Sequence, residues 1–208
     1  MTDDQLRAVA LVCTLRPSPS SSSSQLLAEQ VLEALSEHGA TGSLVRVVDH
    51  DVRPGVEVDM GPGDAWPQIR AQIMAADILV LATPTWMGQQ SSVAQRVLER
   101  LDAELSQKDE QGRMLTLGKV AVAAVVGNED GAHHISGVLF QALNDVGFTL
   151  AGQAVTYWND AVGGDHRDYQ DLDETPEAVA TTNRTVAAHA AHLARLLRGT
   201  PYPPVPEG

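Results

Sequence analysis

The 208-residue chain contains one cysteine, Cys13. It therefore has no internal disulfide and no cysteine pair for a structural zinc site. Basic residues are scarce: 14 Lys and Arg face 27 Asp and Glu, a formal charge of −13. A surface that neutralises nucleic-acid phosphates needs clustered cations, so nucleic-acid binding is excluded. No apolar run approaches the roughly 18–20 residues of a membrane span. The first residues, Met1–Arg7, are polar and acidic, unlike a secretory signal or an Arg-rich transit peptide. The expectation is a cytoplasmic protein. Aromatic residues make up 4% of the chain, so Trp66, Trp86 and Trp158 each call for a reason.

Several site signatures are missing as well. There is no GxGxxG for a dinucleotide, no GxxxxGK[ST] for a nucleotide phosphate and no GxSxG nucleophile elbow. His133 and His134 are adjacent and diverge, and His189 and His192 sit among Ala and Leu. No metal site is expected.

What is present is an ordinary apolar content of 43%, arranged in five short runs. They fall at Ala8–Cys13, Ser43–Asp49, Asp77–Thr83, Lys119–Val126 and Thr149–Tyr157. The first, third and fourth are apolar almost throughout, as in strands covered on both faces. The second and fifth read as edge strands. Helical spacing fills the gaps. Leu27, Val31 and Leu35 share a face over 24–38, and 65–76 is a weaker pattern. Val93, Val97, Leu101 and Leu105 fall at four-residue steps over 92–105. A stripe from Ile135 to Val146 follows, then a last helix over 176–198. Five alternations predict an α/β class: a doubly wound five-stranded parallel sheet, order 2-1-3-4-5, with helices on both faces. The expected organisation is one domain over 1–200 and an extended, proline-rich tail over 201–208. The stretch 158–177, with seven acids and one Arg, reads as a long acidic loop. It is either a lid over the site or a solvated excursion.

In such sheets ligands bind beyond the carboxyl ends of the strands, so the loops after strands one, three and four matter most. The first runs from Thr14 through a Pro/Ser stretch to Gln25 and enters a helix. Hydroxyls and N–H groups at a helix N-terminus suit a phosphate, with Arg16 as a charged partner. The plainer alternative is a flexible linker with a serine cap. The second, Thr83–Ser92, offers the Thr85 hydroxyl, close backbone at Met87 and Gly88, and the flat face of Trp86. The alternative is a turn whose tryptophan packs on the sheet edge. The third, Gly127–His134, brackets Asn128, Glu129 and Asp130 with Gly127 and Gly131, and His133 is a polar contact or a surface histidine. Cys13, within a buried strand, reads as packing.

Taken in order, these loops resemble those of the flavodoxin-like NAD(P)H-dependent FMN reductases, within the broader flavodoxin-family oxidoreductases. Thr14-Leu-Arg16 and Ser22-Ser-Ser24-Gln-Leu-Leu-Ala28 occupy the places of that family's phosphate loop. Cys13 stands where the family often has Gly, and Ser24 where Asn or Thr is usual. Pro84-Thr-Trp-Met-Gly88 is similar to its P-x-[YW]-x-G segment, and Gly127–Gly131 to its loop after strand four. The resemblance implies FMN as cofactor and NADPH or NADH as electron donor. The implied phosphate ligands are Thr14, Arg16, Ser22, Ser23 and Ser24, with Ser21 an alternative register. Pro84, Thr85, Trp86, Met87 and Gly88 are implied along the ribityl chain and ring. Gly127, Asn128, Glu129, Gly131 and His133 are implied at the ring edge. The expected function is electron transfer to a quinone, a free flavin or another small acceptor, with no nucleic-acid or membrane partner and a homodimer left open. A flavodoxin-type carrier docking to redox proteins, or a non-catalytic relative, are the competing expectations.

Overall fold

A computed structural model describes residues 5–160 and 167–204. Five parallel strands form its centre: β1 (Leu6–Val12), β2 (Ala40–Arg46), β3 (Ile78–Trp86), β5 (Val120–Gly127) and β6 (Thr149–Asn159). They lie in the order β2-β1-β3-β5-β6, which is the expected order once the two-residue strand β4 (Gln89–Gln90) is set aside. The helices are α1 (Ser23–Ser36), α2 (Trp66–Ala75), α3 (Ser92–Leu101), α4 (Ala132–Asp145) and α5 (Glu177–Gly199).

The near-continuous apolar strands follow from coverage on both faces, and alternate residues divide between two cores. Ala8, Ala10 and Val12 of β1, with Val80 and Val122, pack under α1 (Leu27, Val31) and α5 (Val186, Ala190). Val9 and Leu11, with Leu79 and Leu81, pack on the opposite face against α2 (Ile69, Ile73), α3 (Val97) and α4 (Ile135, Leu139). Ala187, Ala190, Ala191 and Ala194 are all buried, which lets α5 approach the sheet closely. Among the described residues no helix is long and apolar enough to cross a membrane.

Several boundaries differ from the sequence reading. The second strand begins at Ala40 and ends at Arg46, and Val47–Asp49 form a 3-10 turn. The third strand continues through Pro84 to Trp86. Pro84 is tolerated because the pairing of β3 with β1 stops at Ala82, so no ladder bond is asked of its missing N–H on that side. Helix α3 gives way at Asp102 to a 3-10 turn, leaving Leu105 exposed. Strand β6 lies at an edge and carries a bulge: Leu150 pairs with Ala121 and Val155 with Ala123, with Gln153 at φ 59° between them.

The acidic stretch is not wholly solvated. Trp158 and Asn159 belong to β6, and Tyr169 is 2% exposed within the core shared by α1 and α5. Its ring lies 5.5 Å from that of Trp158, and its hydroxyl donates to Gln30 Oε1 at 2.6 Å. Positions 161–166, Gly163 and Gly164 included, lie outside the described residues, as do 205–208 of the tail. Within the tail, the Tyr202 carbonyl accepts from Arg113 Nη1 at 2.9 Å.

Trp66 gains a structural reason. Arg100 lies 5.6 Å from its ring centroid and pairs with Asp64 at 2.7 Å, both charged side chains fully buried. Burial alone would raise the Asp64 pKa. The Met60 N–H, the Arg100 guanidinium and the N–H groups of Trp66 and Arg53 outweigh it, lowering the pKa to about 2. Arg100 also donates to the carbonyls of Arg53 and Glu57, so one buried cation organises the excursion between β2 and α2.

Candidate functional site

A cleft opens at the carboxyl ends of β1, β3 and β5, where the three loops converge. Cys13 continues the first strand, its N–H donating to the Ala82 carbonyl at 2.8 Å. Burial pushes the Cys13 thiol pKa up, so it stays protonated and packs. Thr14, Leu15 and Arg16 then form one wall of the cleft. Among the described residues the exposed Arg16 guanidinium makes no ion pair.

The Pro/Ser stretch is not a loose linker. Asp49 accepts the backbone N–H of Ser18 at 2.8 Å and its hydroxyl at 2.5 Å. Those two bonds, the hydroxyl first, hold the Asp49 carboxyl below its usual pKa. Arg46 reaches under the loop to the Ser20 carbonyl at 2.7 Å. Arg46 is buried, and its Nε and Nη2 find no partner among the described residues. The sequence reading missed this support. Its signal was a lone cation closing an apolar strand.

The loop delivers Ser21, Ser22, Ser23 and Ser24 to the cleft at the start of α1. Ser22 is the N-cap, its Oγ accepting the Gln25 N–H at 3.3 Å. The N–H groups of a first helical turn have no partner within the helix, and no acidic residue occupies this one. Free donors and the positive end of the helix dipole together make a seat for an anion.

The second loop is a hairpin rather than an open loop. Trp86 pairs with Gln89 across Met87 and Gly88, whose φ angles are 52° and 73°. Two positive values describe the tight turn that suits the twist of paired strands. Ser91 fixes its base: the hydroxyl donates to the Cys13 carbonyl at 2.6 Å and accepts the Ala94 N–H at 3.0 Å, capping α3. Thr85 is 4% exposed and lines the cleft, and its hydroxyl has no partner among the described residues. Trp86 also lines the cleft and is 54% exposed, so its ring is open to a ligand rather than packed away on the sheet edge.

The third loop is pressed against the second. A Cβ added at Gly127 would come within 2.7 Å of the Thr85 Cβ, and one at Gly131 within 2.8 Å of the Gly88 Cα. Only glycine permits this approach. Glu129 Oε1 accepts the Met87 N–H at 2.6 Å, binding the two turns together.

Of the fifteen residues expected at the site, Thr14, Arg16, Ser22, Ser23, Ser24, Pro84, Thr85, Trp86, Gly127 and Asn128 line the cleft. Met87, Gly88, Glu129 and Gly131 do not line it and form the joint between hairpin and third loop. His133 does not line the cleft, and its ring packs edge-on against Tyr157 at 5.2 Å. Trp158, at the end of β6, packs on Tyr169 and does not line the cleft. The reading omitted Leu15, Val126, Asp168 and Gln170 from the cleft. The last two come from the acidic stretch, where buried Tyr169 was the available signal. Among the described residues no cluster of His, Cys, Asp or Glu suits a metal ion.

The implied FMN is tested by these features. The anion seat at α1 suits its phosphate, the unpartnered Thr85 hydroxyl suits a hydroxylated chain, and the exposed Trp86 suits a flat ring. The residues fit the group.

The family model described as NADPH-dependent FMN reductase matches residues 6–162. A curated relative from Streptomyces davaonensis, 8-demethyl-8-aminoriboflavin-5'-phosphate synthase, is 33% identical over 162 residues, covering 74% of this chain and 63% of the relative. A Mycobacterium bovis protein described as divalent metal cation transporter MntH is 37% identical over 159 residues, covering 74% of this chain and 23% of that protein. The chain thus spans less than two thirds of either relative. The crystal structure of RosB with bound 8-demethyl-8-formylriboflavin-5'-phosphate superposes with a TM-score of 0.85 and 31% identity, covering 95% of this chain and 82% of RosB. NADH:FMN oxidoreductase EmoB superposes at 0.67 with 17% identity over 98% and 97% of the chains, a likeness of fold alone. An archaeal flavodoxin, at 0.57 and 8% over 91% and 99%, shares the flavodoxin-like fold.

Proposed function

The chain belongs to the NADPH-dependent FMN reductase family, and on that footing we propose that it is an FMN-dependent oxidoreductase that moves electrons from NADPH or NADH to a small acceptor such as a quinone or a free flavin. The observation that carries this reading is one cleft combining an anion-ready helix start, an unpartnered buried hydroxyl and an open tryptophan face. Bound FMN supplies the redox chemistry, taking up a hydride and passing electrons on.

In this proposal the protein binds and orients. The N–H groups at the start of α1, the Ser22–Ser24 hydroxyls and Arg16 hold the phosphate. Thr85 takes a hydroxyl of the flavin's side chain. Trp86 provides a wall for the ring, and the backbone at Gly127 and Asn128 meets the ring edge. A bound flavin would itself supply the hydride chemistry with a nicotinamide, so the residues of the cleft need only bind and orient it. Rapid mixing of FMN-loaded protein with NADPH tests the reading. Fast loss of flavin absorbance, restored on adding a quinone, is expected. Bleaching only through a separate reductase would replace it with a carrier role.

One observation favours a second reading. The relative at 33% identity is named for making a modified riboflavin phosphate, and RosB holds a modified riboflavin phosphate. The flavin phosphate here would then be substrate rather than resident cofactor. Mass spectrometry of flavin recovered after turnover separates the two: an unchanged FMN mass supports the reductase, a changed one the modifying enzyme.

A further inference from the structure

Asp168, Tyr169 and Gln170 lie beyond residue 162, where the family match ends. Tyr169 is buried against Trp158 and bonded to Gln30, which fixes this point of the chain beside α1. Its two neighbours face the cleft. The Gln170 N–H donates to Ser23 Oγ at 3.3 Å, at the start of α1. Asp168 Oδ1 accepts from Asn128 Nδ2 at 3.3 Å, on the loop after β5. The segment is therefore a strap joining two of the loops that build the cleft.

Gln170 Oε1 is buried and has no hydrogen-bond partner among the described residues. Native proteins rarely leave a buried amide oxygen without a donor. The cleft holds a second such atom, the Thr85 hydroxyl oxygen, which can donate or accept. Two unpartnered buried oxygens in one cleft call for a ligand rich in hydroxyl groups. Resting on the flavin reading of the cleft, we infer that Gln170 is a flavin-binding residue whose Oε1 accepts a hydrogen bond donated by a hydroxyl of the ribityl chain. Riboflavin and FMN are then recognised by the sugar-alcohol chain that lumiflavin lacks, and part of that recognition comes from outside the family's matched segment.

The test is a set of equilibrium titrations of flavin-stripped, full-length protein with lumiflavin, riboflavin and FMN, read by flavin fluorescence. Gln170→Leu removes the acceptor at similar size. It should weaken riboflavin and FMN by about tenfold and leave lumiflavin unchanged. Gln170→Glu keeps an acceptor but adds a negative charge, so it should hold riboflavin near the wild-type affinity and weaken FMN. Circular dichroism and thermal melts confirm that both variants fold. Should the leucine variant fail to fold, the glutamate variant still decides, because equal weakening of lumiflavin and riboflavin in it would overturn the assignment. Equal loss of lumiflavin and riboflavin in Gln170→Leu, or no loss of either riboflavin or FMN, would overturn the assignment. Wild-type protein that binds FMN with variants that bind it equally well removes Gln170 and leaves the flavin reading standing. Wild-type protein that binds no flavin removes both.

Discussion

Thr85→Val is expected to stabilise the flavin-free protein and to weaken flavin binding, two effects of opposite sign from one atom. Thr85 is 4% exposed, and its hydroxyl has no partner among the described residues. A buried hydroxyl without a partner costs about 1–3 kcal/mol in proteins. Valine has nearly the same shape and is favoured in strands, and position 85 lies within β3. Taking the low end of that range, the flavin-free variant should gain about 1 kcal/mol. That corresponds to a rise in melting temperature of about 2–4 °C for a chain of this length. When flavin is bound, the wild-type hydroxyl makes a bond that valine does not, worth about 1 kcal/mol, or roughly a fivefold loss of affinity. Differential scanning calorimetry of the stripped protein gives the first quantity and fluorescence titration with FMN the second. Thr85→Ser retains the hydroxyl and should retain affinity. A valine variant that melts lower and binds FMN as tightly as wild type would refute the reasoning, because the hydroxyl would then serve the fold and not the ligand.

Arg16→Ala should weaken FMN by up to about tenfold, little affecting riboflavin, since an exposed charge acts here only on the phosphate; equal loss for both ligands in the same titration would place Arg16 elsewhere. Gly131→Ala puts a Cβ 2.8 Å from the Gly88 Cα at φ 153°, so the hairpin and third loop must separate. Both stability, by about 1–3 kcal/mol, and FMN affinity should fall, as chemical denaturation and titration will report. Asp64→Asn breaks the buried pair with Arg100 and should cost about 3 kcal/mol at pH 7. The Asp64 pKa lies near 2 in the folded state against an ordinary 3.8. Its contribution is therefore full above about pH 4 and lost as pH falls towards 2. Urea midpoints between pH 4 and 2 should fall more steeply for wild type than for Asp64→Asn.

Legibility followed the range of the forces involved. The uninterrupted apolar runs at Asp77–Thr83 and Lys119–Val126 announced buried parallel strands, because covering a sheet on both faces removes any need for polar residues. The strand order followed from short right-handed crossovers, and the place of the cleft from the ends of β1, β3 and β5. Ten of the expected site residues reached that cleft because each sits within a few residues of a strand end or helix start, where local geometry fixes direction.

The residues that do not line the cleft, and the supports the sequence did not announce, share a different cause. His133 and Glu129 lie in the right loop, but which side of a loop faces a ligand depends on what packs behind it. Here Tyr157 takes one and the Met87 N–H takes the other. Arg46 and Asp49 support the serine loop from about 30 residues away, and neither bond has a sequence period. Asp168 and Gln170 join the cleft because Tyr169 is buried about 140 residues from its partner Gln30. The chain's own pattern of apolar residues set the class of fold, the order of its strands and the edge at which the cleft opens, since burial periodicity is a local property. The side chains that meet in that cleft, and the buried oxygens left there without partners, follow from contacts between distant segments, and those exist only once the sheet has brought the loops together.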